Sequence, residues 1–355
     1  AIRQGIDGLW LAAAIGAAVL AVCWPLAPRL VAAFGGTPAV SQQAITYLRI
    51  SLIGAPSMLA VLAGTGVLRG LQDTRTPLVV AVVANAVNIA LNATFVLGLH
   101  WGIAGSAWGT VIAQVGTSAA YLVVVGRGAR RAGVGFGPDV AGVRAAAFAG
   151  ASLVLRTLAL QAVLVLMTAI AARQSDAAVA AHQIAMRIWN IFVLALDAIA
   201  IAGQAITGRY LGAGDVAGAR AATTRMIAWG AAYGMLFSAV LLAIRPVIPD
   251  LFGVAPEVRG LLLAVLLVVI VQQPIAGVVF VLDGVLIGAG DQDYLALAGL
   301  VTLGVFAAAA AVIVASGGGL VALWVAYALW MLARFATLTI RARGSGWLVT
   351  GAVRS

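Results

Sequence analysis

Ten stretches of apolar residues, each long enough to cross a bilayer as a helix, constrain this chain more than any other feature. With soft boundaries they cover about 9–32, 45–68, 78–98, 103–125, 145–171, 178–207, 226–249, 259–287, 294–315 and 319–340. A hydrocarbon core about 30 Å thick needs roughly 20 apolar residues of helix. In lipid, backbone groups find partners only within a helix or a closed barrel, and a barrel would need short alternating segments. The pattern predicts an all-α integral membrane fold with about ten transmembrane helices. With only 9% charged residues, the chain cannot cover a soluble surface, for which about 25% is usual.

The formal charge is +10, and all 21 cations are arginines. A basic balance can serve nucleic acid, but no soluble basic face exists here to carry it. The arginines instead sort by side. One set of loops and the C-terminal tail hold thirteen: Arg3, Arg69, Arg75, Arg127, Arg130, Arg131, Arg144, Arg209, Arg220, Arg225, Arg341, Arg343 and Arg354. The alternate loops hold four: Arg29, Arg173, Arg245 and Arg259. The positive-inside rule then places both ends of the chain in the cytoplasm. The one cysteine, Cys23, lies in an apolar run and reads as a small buried residue.

The two halves repeat. "FGGTPAV" at Phe34 matches "FGVAPEV" at Phe252, an offset of 252 − 34 = 218. Pro38 and Pro256, Pro56 and Pro274, Gly70 and Gly288, and Asp73 and Asp291 all keep that offset. The longest polar connection, Gly126 to Arg144, reads as the link between halves. The expected organisation is an N-terminal lobe over 1–126, a cytoplasmic linker over 127–144, a C-terminal lobe over 145–343 and a tail over 344–355. Two spans, 145–171 and 178–207, precede the repeated region of the second half. Their partners in the first half fall before residue 1. The repeat therefore implies a six-plus-six parent of which four and six spans are seen, with two more spans ahead of Ala1.

Several motifs together carry a resemblance: "VLRGLQDTRTP" (67–77), "NAVNIALN" (85–92), "WGIAGSAWGT" (101–110), "AAHQI" (180–184), "LDAIAIAGQAITGRYLGAGD" (196–215) and "FVLDGVLIGAGD" (280–291). The chain resembles the MATE multidrug exporters, most closely their DinF-like branch. The resemblance implies a two-lobe inverted-V bundle around a central cavity in a bacterial plasma membrane. It further implies efflux of organic or cationic molecules coupled to inward H+ or Na+, with no other cofactor and no metal. The expected partners are a small-molecule substrate and the lipid bilayer, with no nucleic acid and a monomeric protein. It also implies an acidic coupling residue in a first helix lying ahead of residue 1.

Polar residues inside spans mark the candidate site. A charge at mid-membrane costs about 2.5–3.5 kcal/mol even on the lenient insertion scale, so function is the default reading. Asp197 and Asp283 stand in such apolar context. Gln183, Asn190, Asp197 and Gln204 recur every seven residues and so share one helix face. Gln272 and Asp283 are eleven apart, close to three turns, and share another. Asn85, Asn88 and Asn92 line the third span, with Thr110 and Gln114 on the next span as possible opposites. The resemblance places that third span on the first-lobe cavity, where some relatives carry an acid in place of Asn92.

Arg156 and Gln161 lie on the fifth span. Arg156 either snorkels or pairs with Asp197 or Asp283. His182, near the outer end of its span, reads as an interfacial or hydrogen-bonded histidine. Pro56 and Pro274 are expected to bend both their helices.

"VLRGLQDTRTP" reads as a tight cytoplasmic elbow built from Arg69, Asp73, Arg75 and Pro77, with Asp291 at the matching place in the second half. Pro77 suits a first helical turn, Thr74 or Thr76 a cap, and Asp73 a cap paired with Arg75. Three other readings compete with an exporter; one, a non-transporting membrane scaffold, is opposed by the duplicated halves with aligned polar faces, and a flux assay separates the two. A flippase for lipid-linked precursors needs a strongly cationic cavity, and only Arg156 and Arg187 stand out as candidates. An intramembrane prenyl-type enzyme needs clustered acids for Mg2+, and Asp291 with Asp293 is too thin for that.

Overall fold

A computed structural model describes residues 2–32, 38–71, 73 and 75–350. Phe34 of the repeat, Thr74 and Arg354 lie outside the described residues. The described residues form helices and connecting turns, with no strand. In order the helices are α1 (Ile2–Ala32), α2 (Pro38–Ile53), α3 (Ala55–Gly70), α4 (Arg75–Asn92), α5 (Gly102–Arg131), α6 (Val140–Ala172), α7 (Asp176–Gly212), α8 (Val216–Ile244), α9 (Ile248–Leu251), α10 (Pro256–Gly288), α11 (Gln292–Ala315) and α12 (Leu320–Arg343). A π-helical turn over Ala93–Gly98 extends α4.

Among the described residues, nine helices are long and apolar enough to cross a membrane. The pair α2–α3, bent by 46°, passes the same test together and, counted as one span, gives ten. Polar side chains start several of them. Ser175 accepts from the Ala178 N–H at the head of α7, and Asp215 accepts from the Gly218 N–H at 2.7 Å ahead of α8. Each satisfies a donor that the first helical turn leaves open.

The chain divides into two compact units, Ala1–Phe148 and Ala149–Ser355. The stretch expected as a linker is largely helical: α5 runs on to Arg131 and α6 begins at Val140. What remains between them is held within the first unit. Arg3 donates to the Gly135 carbonyl at 3.2 Å. The Trp10 indole donates to the Phe136 carbonyl at 2.9 Å. The buried Asp7 carboxylate accepts from the Asp139 N–H at 3.1 Å.

The repeat is visible in helix ends. The pair α2–α3 begins at Pro38 and ends at Gly70, and α10 runs from Pro256 to Gly288, both 218 residues later. Helix α5 begins at Gly102 and α12 at Leu320, again 218 apart. Packing repeats as well. Gly16 of α1 lies against the Pro56 backbone, and Gly234 of α8 lies against the Gln273–Pro274 backbone. A Cβ at either glycine would overlap main-chain atoms of the facing helix, so only glycine allows this approach.

The two prolines act differently. In the first unit the chain breaks at Gly54, two residues before Pro56. In the second, α10 continues through Pro274 as one helix. Proline has no N–H, so the carbonyl four residues earlier loses its helical donor. That carbonyl, on Ile270, instead accepts the Ser238 hydroxyl from α8 at 2.6 Å. The neighbouring helix thereby satisfies the group that Pro274 frees. Helix α10 forms the core of the second unit, with Val265, Leu266, Val269, Val279, Val281, Leu282 and Leu286 fully buried.

Candidate functional site

The second unit encloses a cavity of about 390 Å³. Four helices wall it: α6 through Arg156, Thr157, Leu160, Gln161 and Leu164; α7 through Trp189, Asn190, Val193, Asp197, Ala200, Ile201 and Gln204; α10 through Phe280, Asp283, Gly284 and Ile287; and α12 through Tyr327, Trp330, Met331 and Arg334. The heptad spacing on α7 explains how Asn190, Asp197 and Gln204 reach one wall, since seven residues make nearly two full turns.

Asp283 is the anchor of a charged triad. Its Oδ2 meets the Arg334 guanidinium from α12 and the Arg156 guanidinium from α6 at 2.8 Å. Both Asp283 and Arg334 are buried. The low dielectric that makes each charge costly alone makes their contact strong. Arg334 also lies over the Trp330 ring, 4.9 Å from its centroid, and near the Phe280 ring. An aromatic ladder continues from there, with Trp330 5.0 Å from Tyr327 and Tyr327 5.5 Å from Trp189 between ring centroids.

Asp197 differs from Asp283. It lines the same cavity but is exposed, and it makes no hydrogen bond or ion pair among the described residues. One carboxylate is committed to two arginines, and the other is free to bind a proton, a cation or a substrate group.

The structure sorts the remaining expected residues. Asn190, Gln204, Gln161 and Arg156 join the cavity wall, whereas Gln183 and Gln272 are not part of it. Gln183 is exposed near the other end of α7. Gln272 is buried, and neither its amide nor that of Gln273 has a hydrogen-bond partner among the described residues. The eleven-residue spacing aligned Gln272 with Asp283 along α10, but three turns of rise carried it past the cavity. Arg187 is exposed and also outside the wall. His182 is buried rather than interfacial, with its Nε2 3.2 Å from the Thr168 hydroxyl and its ring against Trp324.

In the first unit, Asn92 donates to the Asn88 side-chain oxygen at 3.0 Å, and Asn88 donates to the Thr110 hydroxyl at 3.3 Å. Thr110 thus opposes the asparagine face as expected. Asn85 turns back to the Ala81 carbonyl of its own helix. Gln114 points to the break at Gly54, where the missing side chain makes room for its amide oxygen.

The elbow is capped by Asp73. Its Oδ1 accepts the Thr76 N–H at 2.9 Å and the Arg75 N–H at 3.1 Å. Its Oδ2 accepts the Thr76 hydroxyl. Hydrogen bonds from Thr76 hold the Asp73 carboxyl below its ordinary value. The cap is therefore Asp73 rather than Thr76, and Arg75 meets it through its backbone. Arg69 and Arg75 are exposed, and Pro77 sits in the first turn of α4. The matching Asp291 is used differently: it takes a two-point contact from Arg341, at 2.6 and 3.1 Å.

Sequence reasoning missed Arg334 and the aromatic ladder. The signal was present. Trp324, Tyr327, Trp330 and Arg334 follow one another at steps of three, three and four in "WVAYALWMLAR". That is helical spacing for one face, with a lone arginine deep in an apolar span.

Fold and site together define a multi-pass α-helical membrane protein with a charged, aromatic-walled cavity inside a unit of six membrane-length helices. The MatE family model matches residues 3–94 and 153–313, and the chain belongs to that family. Among curated relatives, Protein DETOXIFICATION 43 of Arabidopsis thaliana is 32% identical over 84% of this chain and 57% of its own length. The DNA damage-inducible protein F of Escherichia coli is 30% identical over 81% of this chain and 63% of its own. The chain thus spans little more than half the length of the curated relatives it matches. Two solved structures share the fold. A MOP superfamily transporter from Pyrococcus furiosus superposes with a TM-score of 0.86 at 21% identity, over 97% of this chain and 78% of that one. A MATE protein in the bent conformation gives 0.84 at 20% identity, over 97% and 80%. The family is one of transporters rather than enzymes.

Proposed function

We propose that this protein belongs to a secondary-active antiporter that exports organic or cationic small molecules by alternating access in exchange for H+ or Na+. In this reading it is a monomer of the bacterial plasma membrane, with its C-terminus in the cytoplasm. One observation carries the reading: the cavity holds a free carboxylate, Asp197, and a second carboxylate already paired with two arginines. Asp283, Arg156 and Arg334 form a self-contained polar frame. Asp197 supplies the one acid in that cavity whose occupancy can change without leaving a buried arginine unpaired. Proton or Na+ on one side of the cycle and a cationic substrate on the other would then compete for it. The aromatic ladder of Trp189, Tyr327 and Trp330 offers flat apolar faces to an organic body.

The test is flux in proteoliposomes containing the protein as its gene encodes it, with a fluorescent organic cation as cargo. An imposed proton or Na+ gradient of the correct direction should drive uptake against the dye gradient. Absence of gradient-driven flux with either ion would defeat the antiporter reading. The flippase reading gains one specific observation, since Arg334 joins Arg156 on the wall. The two guanidiniums share one carboxylate, Asp283, so the triad keeps a single net positive charge, and Asp197 in the same cavity opposes it, which is less than a pyrophosphate would need. Translocation of a lipid-linked pyrophosphate in the same vesicles, with no response to either ion gradient, would favour that reading instead.

A further inference from the structure

The first unit holds a cavity of its own, of about 280 Å³, between the start of α1 and the last turns of α5. Its walls are apolar: Ile6, Trp10 and Ala13 from α1, Leu122 and Gly126 from α5, and Phe136 from the turn beyond α5. Trp10 and Phe136 form the rim. The Trp10 indole donates to the Phe136 carbonyl at 2.9 Å, yet each of the two residues is 47% exposed. Tryptophan is enriched where a membrane meets water.

Both walls end in arginine. Leu122, Gly126 and Arg130 follow at steps of four along α5, and Arg3, Ile6, Trp10 and Ala13 at steps of three, four and three along α1. Each set therefore keeps to one helix face. Arg3 is committed, because it donates to the Gly135 carbonyl at 3.2 Å and lies 3.6 Å from the Asp7 carboxylate. Arg130 is not. Its guanidinium lies 6.0 Å from the centre of the Phe136 ring and makes no ion pair among the described residues. Asp7 is taken up by Arg3 and the Asp139 N–H, and Asp139 itself accepts from the Ala141 N–H.

This face looks outward in both units. At the 218-residue offset Ile6, Trp10 and Leu122 become Thr224, Ala228 and Ile340, all exposed. The first unit adds the rim and the cation, since Trp10 and Arg130 correspond to Ala228 and Leu348.

We propose that the groove between α1 and α5 binds one anionic phospholipid, with an acyl chain along the apolar walls and the phosphate at Arg130. The site is dry inside and cationic at its mouth, so its occupant must be apolar at one end and negative at the other. A soluble anion would leave the apolar walls unfilled. A zwitterionic lipid would bring its own cation up to an unpaired arginine. Basic pockets between transmembrane helices take acidic head groups in this way.

Native mass spectrometry of the detergent-purified protein, as its gene encodes it, tests the proposal with phosphatidylglycerol and phosphatidylcholine of identical chains. The first phosphatidylglycerol should bind about fivefold more tightly than the first phosphatidylcholine, the factor for one basic residue beside an acidic head group. Arg130→Gln should remove that preference. Arg131→Gln, the same charge change one residue off the stripe, should keep it. Gly126→Leu should weaken phosphatidylglycerol binding severalfold, because a Cβ there meets only the Phe136 ring, at 3.6 and 3.8 Å, and the longer side chain fills the groove. Ala13→Phe, at an exposed wall position, takes its place if that variant is not produced. Equal binding of the two lipids would overturn the proposal. So would equal losses in Arg130→Gln and Arg131→Gln, which would mean diffuse attraction to a basic surface. Undiminished binding in the groove-filling variant, or displacement of the lipid by soluble glycerol phosphate, would overturn it as well.

Discussion

Arg334 of α12 and Asp283 of α10 form a buried ion pair, and Arg156 of α6 reaches the same carboxylate oxygen at 2.8 Å. Three helices are therefore tied at one point inside the second unit. The arrangement separates the two intramembrane acids by role. Asp283 holds the frame, and Asp197 in the same cavity stays free.

Asp197→Asn keeps the size and hydrogen bonding of the side chain and removes its charge. The expected result is normal membrane abundance, efflux reduced at least severalfold and a flattened dependence on pH. Transport per folded molecule is the deciding measurement. Wild-type turnover with an unchanged pH profile would remove Asp197 from coupling.

Asp283→Asn should act on stability first. It leaves two guanidiniums facing each other without a counter-charge, and breaking a buried pair in this way costs about 3–5 kcal/mol. The double variant Asp283→Leu/Arg334→Leu removes both members of the tightest pair and should be less destabilised than Asp283→Asn. Thermal unfolding of the purified proteins in detergent compares them. Equal unfolding temperatures for wild type and Asp283→Asn would show that the triad is not a structural tie.

Ser238 and Pro274 should be coupled. Ser238→Ala orphans the Ile270 carbonyl, at a cost of about 1–3 kcal/mol for a buried unsatisfied group. Pro274→Ala restores an N–H that can bond the same carbonyl within α10. The double variant should therefore be more stable than Ser238→Ala alone. Simple additivity in a double-mutant cycle would show that the two residues do not share that carbonyl.

Asp73→Ala should cost about 1 kcal/mol through loss of the cap on α4. The carboxyl is held low in the folded state by Thr76. Its contribution is therefore complete above the unfolded value of about 4 and is lost as pH falls through the folded value. Unfolding followed from neutral to acid pH should show the gap between wild type and Asp73→Ala closing at the acid end.

A cysteine at Gly137, in the exposed turn between α5 and α6, should react with an impermeant maleimide only after the cytoplasmic face is opened. Labelling in intact cells would reverse the orientation read from the arginines.

The sequence by itself determined the class of fold, the spans and the repeat, because each rests on local, periodic signals. Twenty apolar residues must be a helix in lipid, and an ungapped offset of 218 must give matching helix ends. It also marked Asp197, Asn190 and Gln204, since heptad spacing is a property of one helix. Only the tertiary structure decided which acid is free and which is paired. Asp283, Arg156 and Arg334 come from three helices whose rotations and depths no single helix specifies. The same limit misplaced Gln272, which shares a face with Asp283 yet lies three turns from it, outside the cavity wall. It also hid the different fates of Pro56 and Pro274. The helix breaks at Gly54 in the first unit and runs on in the second, where Ser238 on a neighbouring helix supplies the hydrogen bond that Pro274 withholds.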